Sequence, residues 1–187
     1  MFNLSTQEVV LSIEKTPLVK LNNHVFQNYH NFFGNTDDFD LDVNKMSFDR
    51  LENQGDDSRT ARARRRLSYS ETFSKHLRVF FMNSKITNAL ENKFETDLKF
   101  GSVDYWIDGE NYFLEPHVDD DSIKLSLQIY FGDGHPGTVL FDNDQAIKTF
   151  HFANDCGYAM LLNNKTSHGL EYPVKSAGRR SLYVRYQ

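Results

Sequence analysis

From Ile123 to Phe131 the chain alternates without a break: Ile123, Leu125, Leu127, Ile129 and Phe131 against Lys124, Ser126, Gln128 and Tyr130. Period two belongs to a strand whose two faces meet different surroundings. A helix, whose faces recur every three or four residues, does not produce it. The same grammar runs through the C-terminal half. Val103, Tyr105 and Ile107 alternate before the turn residues Asp108-Gly109-Glu110-Asn111, and residues 112–118 form another extended run. Gly132 to Gly137 is a strong turn, followed by extended segments over 138–141, 146–152, 158–163 and 179–186. Seven or eight short strands punctuated by turns predict a mainly β fold, a sandwich or jelly roll.

The N-terminal half is less regular. Residues 34–66 hold the acidic stretch Asp37 to Asp42, then Gln54-Gly55-Asp56-Asp57, and end in a run with arginines at Arg59, Arg62, Arg64, Arg65 and Arg66. So few apolar residues predict a long mobile segment, about 35–66, suited to a lid. Ser84 is read as the cap of a helix carrying Ile86, Leu90 and Phe94, with Leu98 continuing the series. A length of 187 residues fits one domain, 1–187, in which 1–99 supports a catalytic core over 100–187. No internal repeat stands out. Net charge of -5 gives no overall attraction to nucleic acid or anionic membrane. The single cysteine, Cys156, rules out an intramolecular disulfide, and the first residues lack a basic, apolar leader. A soluble, cytoplasmic protein with no membrane partner is the expectation.

The chemistry-bearing residues lie in the last third. His117 and Asp119 are two apart, and His168 follows about fifty residues later. His-x-Asp alone is weak evidence, but one intervening residue in an extended segment puts both side chains on one face. The turn Asp120-Asp121-Ser122 places that pair at a sheet edge, and His168 follows the polar turn Asn164 to Ser167. Two histidines and one carboxylate form the facial ligand set of a non-haem Fe(II) site, which leaves three positions for a bidentate co-substrate and dioxygen. On the terminal strand, Arg179, Ser181, Tyr183 and Arg185 share one face, with Leu182, Val184 and Tyr186 on the other. A guanidinium fork beside a hydroxyl suits the far carboxylate of a dicarboxylic co-substrate. Arg179 is preferred to Arg180, which points the opposite way.

Tyr112-Phe-Leu-Glu-Pro-His117-Val-Asp119, Lys124 to Phe131, Gly137-Thr138, His168-Gly-Leu and Arg179 to Tyr186 together resemble the 2-oxoglutarate/Fe(II) dioxygenases, nearest the prolyl-hydroxylase-like branch. The likeness covers roughly residues 100–187. It implies a double-stranded β-helix (jelly roll) with supporting α-helices from the N-terminal half. It also implies iron on His117, Asp119 and His168, and 2-oxoglutarate anchored by Arg179 and Ser181, with Tyr130 sharing the distal carboxylate. A His168-to-Arg179 gap slightly longer than that branch shows keeps Arg180 as an alternative anchor. The implied reaction consumes O2, releases succinate and CO2, uses ascorbate as accessory reductant, and hydroxylates a peptidyl proline, an amino acid or another small metabolite. Two rival readings remain: an AlkB-like nucleic-acid demethylase using Arg62 to Arg66 on phosphates, and a non-enzymatic jelly-roll metal-binding module.

Other residues carry bland expectations. His135 in its Gly/Pro turn is read as solvent-exposed, and His151 as a packed or surface strand residue. His24, His30 and His76 lack a carboxylate at ligand spacing. Asp120 and Asp121 suit a solvated turn, and Trp106 and Tyr105 a core or a stacking wall.

Overall fold

The computed structural model describes residues 64–142, 144–153, 157–163 and 167–187, together with the backbone of 48–50. Most of the acidic and mobile segment expected over 35–66, with Arg59, Arg62, His24, His30 and Cys156, lies outside the described residues. Nine strands and two helices are found among the described residues: β1 Phe48–Arg50, β2 Arg64–Leu67, α1 Thr72–Phe81, α2 Ser84–Phe94, β3 Phe100–Asp108, β4 Leu125–Phe131, β5 Thr138–Asp142, β6 Gln145–Phe150, β7 Gly157–Leu161, β8 Ser167–Leu170 and β9 Arg179–Tyr186. Strands β1-β2-β3-β9-β4-β7 form one antiparallel sheet and β6-β5-β8 a second. Their non-consecutive order is that of a jelly roll, the expected fold class. No described helix is long and apolar enough to cross a membrane.

Helix α1 carries Phe73, Leu77, Phe80 and Phe81 at helical spacing, and the last three are buried. The sequence reading did not anticipate it. Helix α2 is capped one residue earlier than expected: Asn83, not Ser84, accepts the Lys85 backbone N–H, at 2.9 Å. It stops at Phe94 because Glu95 turns left-handed, with φ 52°, so Leu98 lies beyond the helix. Ile86 and Leu90 join α1 in packing on Val103, Tyr105, Ile107, Leu125, Leu127, Ile129, Leu182 and Val184 from the large sheet. Burying each such aliphatic side chain contributes about 1.5–3 kcal/mol, so this layer dominates the fold.

The opposite face of the large sheet is buried as well, beneath the small sheet. Ser126, Gln128, Asp104, Asp108, Arg179 and Ser181 all lie there, shielded from solvent. Alternation in the sequence therefore distinguishes two environments, apolar core and polar interior, rather than core and water. The expected mobile segment also ends differently. Arg64, Arg65 and Arg66 belong to β2, which pairs with β3 through Arg64↔Asp108, Arg65↔Ile107 and Arg66↔Trp106. Strand pairing satisfies their backbone, so these three arginines are sheet residues and not part of a loop.

Candidate metal and acid site

Residues 111–117 run antiparallel to 168–174 along the edge of the small sheet. His117 and His168 exchange both backbone hydrogen bonds, at 3.0 and 2.9 Å, and Leu170 N–H donates to Leu114 O at 2.9 Å. This pairing closes the long sequence gap between the two histidines. Gly169 makes it possible: a Cβ there would fall 2.7 Å from Leu114 O and 2.9 Å from Pro116 N. The segment then leaves the edge, and the Asp120 side chain takes the Ser122 N–H at 2.8 Å, fixing the turn behind Asp119.

His117 Nε2 lies 3.4 Å from Asp119 Oδ1, and His168 Nε2 lies 3.5 Å from Asp119 Oδ2. One ligand atom from each of the three residues falls within 4.8 Å of the others, the one such cluster of metal-ligating side chains among the described residues. His117 Nδ1 sits 2.9 Å from Glu115 O and must donate to it, so Nε2 is the ring nitrogen left to bind a metal once it has given up its own proton. Two ligands about 2.1 Å from a cation and at right angles to each other stand about 3 Å apart. The observed spacing and donor set therefore fit a divalent ion. A hydrogen bond to Asp119 is the main cause raising the His117 pKa. Burial works against the charge of Asp119, yet hydrogen bonds from His117 and Tyr183 and the nearby histidines prevail and lower its pKa.

The triad opens into a cavity of about 300 Å³, at the small end of the range for ligand sites. Gln128 of β4, Thr138 of β5 and Tyr158 of β7 form one wall, with Tyr158 OH and Thr138 Oγ1 both donating to Gln128 Oε1, at 2.7 and 3.1 Å. Arg179, Tyr183 and Arg185 enter from β9, and Arg64, Trp106 and Tyr112 from the other side. Arg179 is only 1% exposed; its Nη1 donates to Asp108 Oδ2 at 2.6 Å and its Nε to Pro136 O at 3.1 Å. Its Nη2 is buried without a hydrogen-bond partner. An unmatched, buried guanidinium N–H in a pocket wall is a free-energy deficit that an acid's oxygen would remove.

The remaining candidates separate. Arg180 is exposed on the opposite face of β9, as strand alternation requires. Ser181 lies on the Arg179 face but is fully buried, its Oγ without a partner, and it does not line the cavity. Tyr130 is also behind the wall: its hydroxyl pairs with Thr138 Oγ1 at 2.7 Å and its ring packs on Phe152. Trp106 lines the cavity while Tyr105 joins the core. His135 is half-buried rather than solvent-exposed, edge-on to Phe152, with burial and the charge of Arg179 lowering its pKa. His151 is exposed, and His76 sits on α1 with its ring against Thr72 O at 2.7 Å.

Four contributors escaped the sequence reading. Tyr183 donates to Asp119 Oδ2 at 2.5 Å and so holds the carboxylate. Its place on the Arg179 face was legible, but its contact was not. Asp108 was assigned to a turn, although Asp104, Trp106 and Asp108 alternate against Val103, Tyr105 and Ile107. Asp104 binds Arg185 and accepts from Tyr69 OH at 2.8 Å. Arg64 carried no local signal for a role in a cavity.

No protein-family model matches the sequence, and no curated protein matches it. Solved structures do match its fold. An oxidoreductase of the 2OG-Fe(II) oxygenase family from Burkholderia pseudomallei superposes with a TM-score of 0.54 at 16% identity, over 66% of this chain and 61% of that one. The present chain thus spans less than two thirds of that protein's length. A prolyl hydroxylase from Trichoplax adhaerens, in complex with a hypoxia inducible factor oxygen degradation domain peptide fragment, gives 0.56 at 11% identity, over 97% and 88% of the two chains. The non-heme alpha ketoglutarate dependent epimerase SnoN from nogalamycin biosynthesis gives 0.55 at 8% identity, over 99% and 83%. Identities this low establish a shared fold.

Proposed function

We propose that this chain is a 2-oxoglutarate- and Fe(II)-dependent oxygenase that hydroxylates a peptide or small-molecule substrate within a single domain. One observation carries the reading. Three ligand atoms of the facial kind meet at one end of a small cavity, and a fully buried arginine with an unmatched nitrogen stands in its wall. Iron with 2-oxoglutarate and O2 would supply the oxidising chemistry here, with release of succinate and CO2. The chain's own residues position and shield. His117, Asp119 and His168 hold one face of the ion, and Tyr183 keeps the Asp119 carboxylate from rotating. Arg179 takes the distal carboxylate, with Thr138 and Gln128 beside it, and Trp106 and Tyr112 limit water on the far side. Ser181 and Tyr130 act behind that wall, shaping it rather than touching the acid.

Peptidyl proline, an amino acid and another small metabolite are the substrate classes in view; the peptide in the Trichoplax complex makes a peptide the first to test. The nucleic-acid reading loses support because Arg64 is turned into the cavity and Arg66 stacks on Tyr69, with 4.3 Å from guanidinium to ring centre. The direct experiment incubates the protein with Fe(II), 2-oxoglutarate and ascorbate in air and measures succinate. Release that disappears in His168→Ala is expected. A wild-type protein that binds a divalent metal but yields no succinate, with or without a peptide pool, would leave the metal-binding module as the reading.

A further inference from the structure

Three strands bring three charges into one row. Register pairs Arg64 of β2 with Asp108 of β3, and Asp108 with Arg179 of β9. All three side chains fall on the cavity side of the sheet. Arg179 Nη1 donates to Asp108 Oδ2 at 2.6 Å, while Arg64 Nε forms an ion pair, without hydrogen-bond alignment, 3.0 Å from Oδ1 of the same carboxylate. Asp108 has no solvent exposure at all. Arg64 is clamped independently: its guanidinium lies 4.0 Å from the Trp106 ring centre and 4.9 Å from that of Tyr112, and its Nη1 donates to Tyr112 OH at 2.7 Å. Burial opposes the charge of Arg64, but Asp108 and its other neighbours more than compensate and raise its pKa.

The charge count in this row decides what it can bind. Arg179 with Asp108 alone is a neutral pair, and an incoming carboxylate would meet the buried anion as closely as the cation. With Arg64 on the other oxygen, two cations share one anion and a single positive charge is left over. In a water-poor pocket that surplus is screened little. We propose that Arg64 is a positioning residue for the carboxylate end of the cavity: by sharing Asp108 it leaves the charge of Arg179 available to the distal carboxylate of the co-substrate. The proposal rests on the 2-oxoglutarate reading above. It also gives one member of the arginine run a task inside the fold, and makes β2 part of the site.

The test compares two acids that differ only at the far end, 2-oxoglutarate and 2-oxopentanoate, which carries a methyl group in place of the distal carboxylate. Calorimetric titration of Mn(II)-loaded wild-type protein, Arg64→Gln and Arg64→Lys gives the preference between them. Arg64→Gln should lose tenfold or more of its affinity for 2-oxoglutarate and stay within twofold of wild type for 2-oxopentanoate. Arg64→Lys, which keeps the charge, should hold the wild-type preference to within about threefold. Mn(II) affinity should be unchanged in both variants. Equal losses for the two acids would reduce Arg64 to a packing residue, and a lysine variant as indifferent as the glutamine would end the charge argument. Wild-type protein that binds neither acid would instead overturn the proposed function.

Discussion

Gly169→Ala adds one methyl group beside the ligand His168 and changes no metal-ligating atom, yet it should weaken the metal site. The added Cβ would lie 2.7 Å from Leu114 O, 2.9 Å from Pro116 N and 3.0 Å from the Glu115 carbonyl carbon. All three are backbone atoms, so no side chain can swing aside. Restoring ordinary contact requires the 112–117 segment to retreat by about 0.7 Å. His117 follows Pro116 directly, and its two backbone hydrogen bonds to His168, at 3.0 and 2.9 Å, are what set the spacing of the ligands. Metal sites tolerate about 0.2 Å. The displacement exceeds that severalfold, so Mn(II) affinity should fall by about 10–100-fold, as for disturbed supporting contacts elsewhere. Stability should fall by about 1–3 kcal/mol, the usual range for an overpacked interior. Calorimetry with Mn(II) measures the first effect and thermal unfolding of the metal-free protein the second. Leu90→Ala is the control: Leu90 is fully buried beneath the large sheet, so it should cost about 2–5 kcal/mol with metal affinity intact. If Gly169→Ala binds Mn(II) within twofold of wild type, the edge pairing has slack and does not govern ligand spacing.

Other expectations follow from the same geometry. His117→Ala, Asp119→Ala and His168→Ala should each abolish metal binding, read by metal analysis, while near-wild-type circular dichroism persists because the residues sit at strand ends. Arg179→Ala should weaken 2-oxoglutarate binding tenfold or more, a charge-assisted bond being worth roughly 1.5–3 kcal/mol, whereas Arg180→Ala on the exposed face should change it little. Metal affinity should fall as pH drops. Asp119 holds the His117 pKa above its ordinary value, so below that raised pKa the ring carries a proton which metal must displace; in that range affinity should drop about tenfold per pH unit, since one proton is exchanged. Titrations below the ordinary imidazole pKa, in buffers of different ionisation heat, would count that proton, and none released there would contradict the assignment. Tyr183→Phe should lower metal affinity several-fold without altering the fold, because it removes only the hydroxyl that holds Asp119.

Local patterns carried much of this molecule. Period two in Ile123 to Phe131 and in Arg179 to Tyr186 places β4 and β9, and the same alternation separates Arg179 from Arg180. Helix α1 was legible too, since Phe73, Leu77, Phe80 and Phe81 have helical spacing, but the sequence reading assigned no element there. The run through Leu98 misled for a different reason. A left-handed Glu95 ends α2, and apolar periodicity does not register one backbone torsion.

By itself the sequence determined which residues share a strand face, where turns interrupt the strands, and which donor types are present: two imidazoles, carboxylates and arginines. Those are short-range properties, set by backbone periodicity and side-chain chemistry. Tertiary structure alone decided that the polar face of β3, β4 and β9 is buried under a second sheet. It also decided that His168 pairs with His117 across about fifty residues, and that Arg64 joins Asp108 and Arg179 in one row. Strand partners in a jelly roll are chosen by the packing of two whole sheets, so no local window contains them. A buried polar side chain and an exposed one follow the same period-two pattern, and only the second sheet tells them apart.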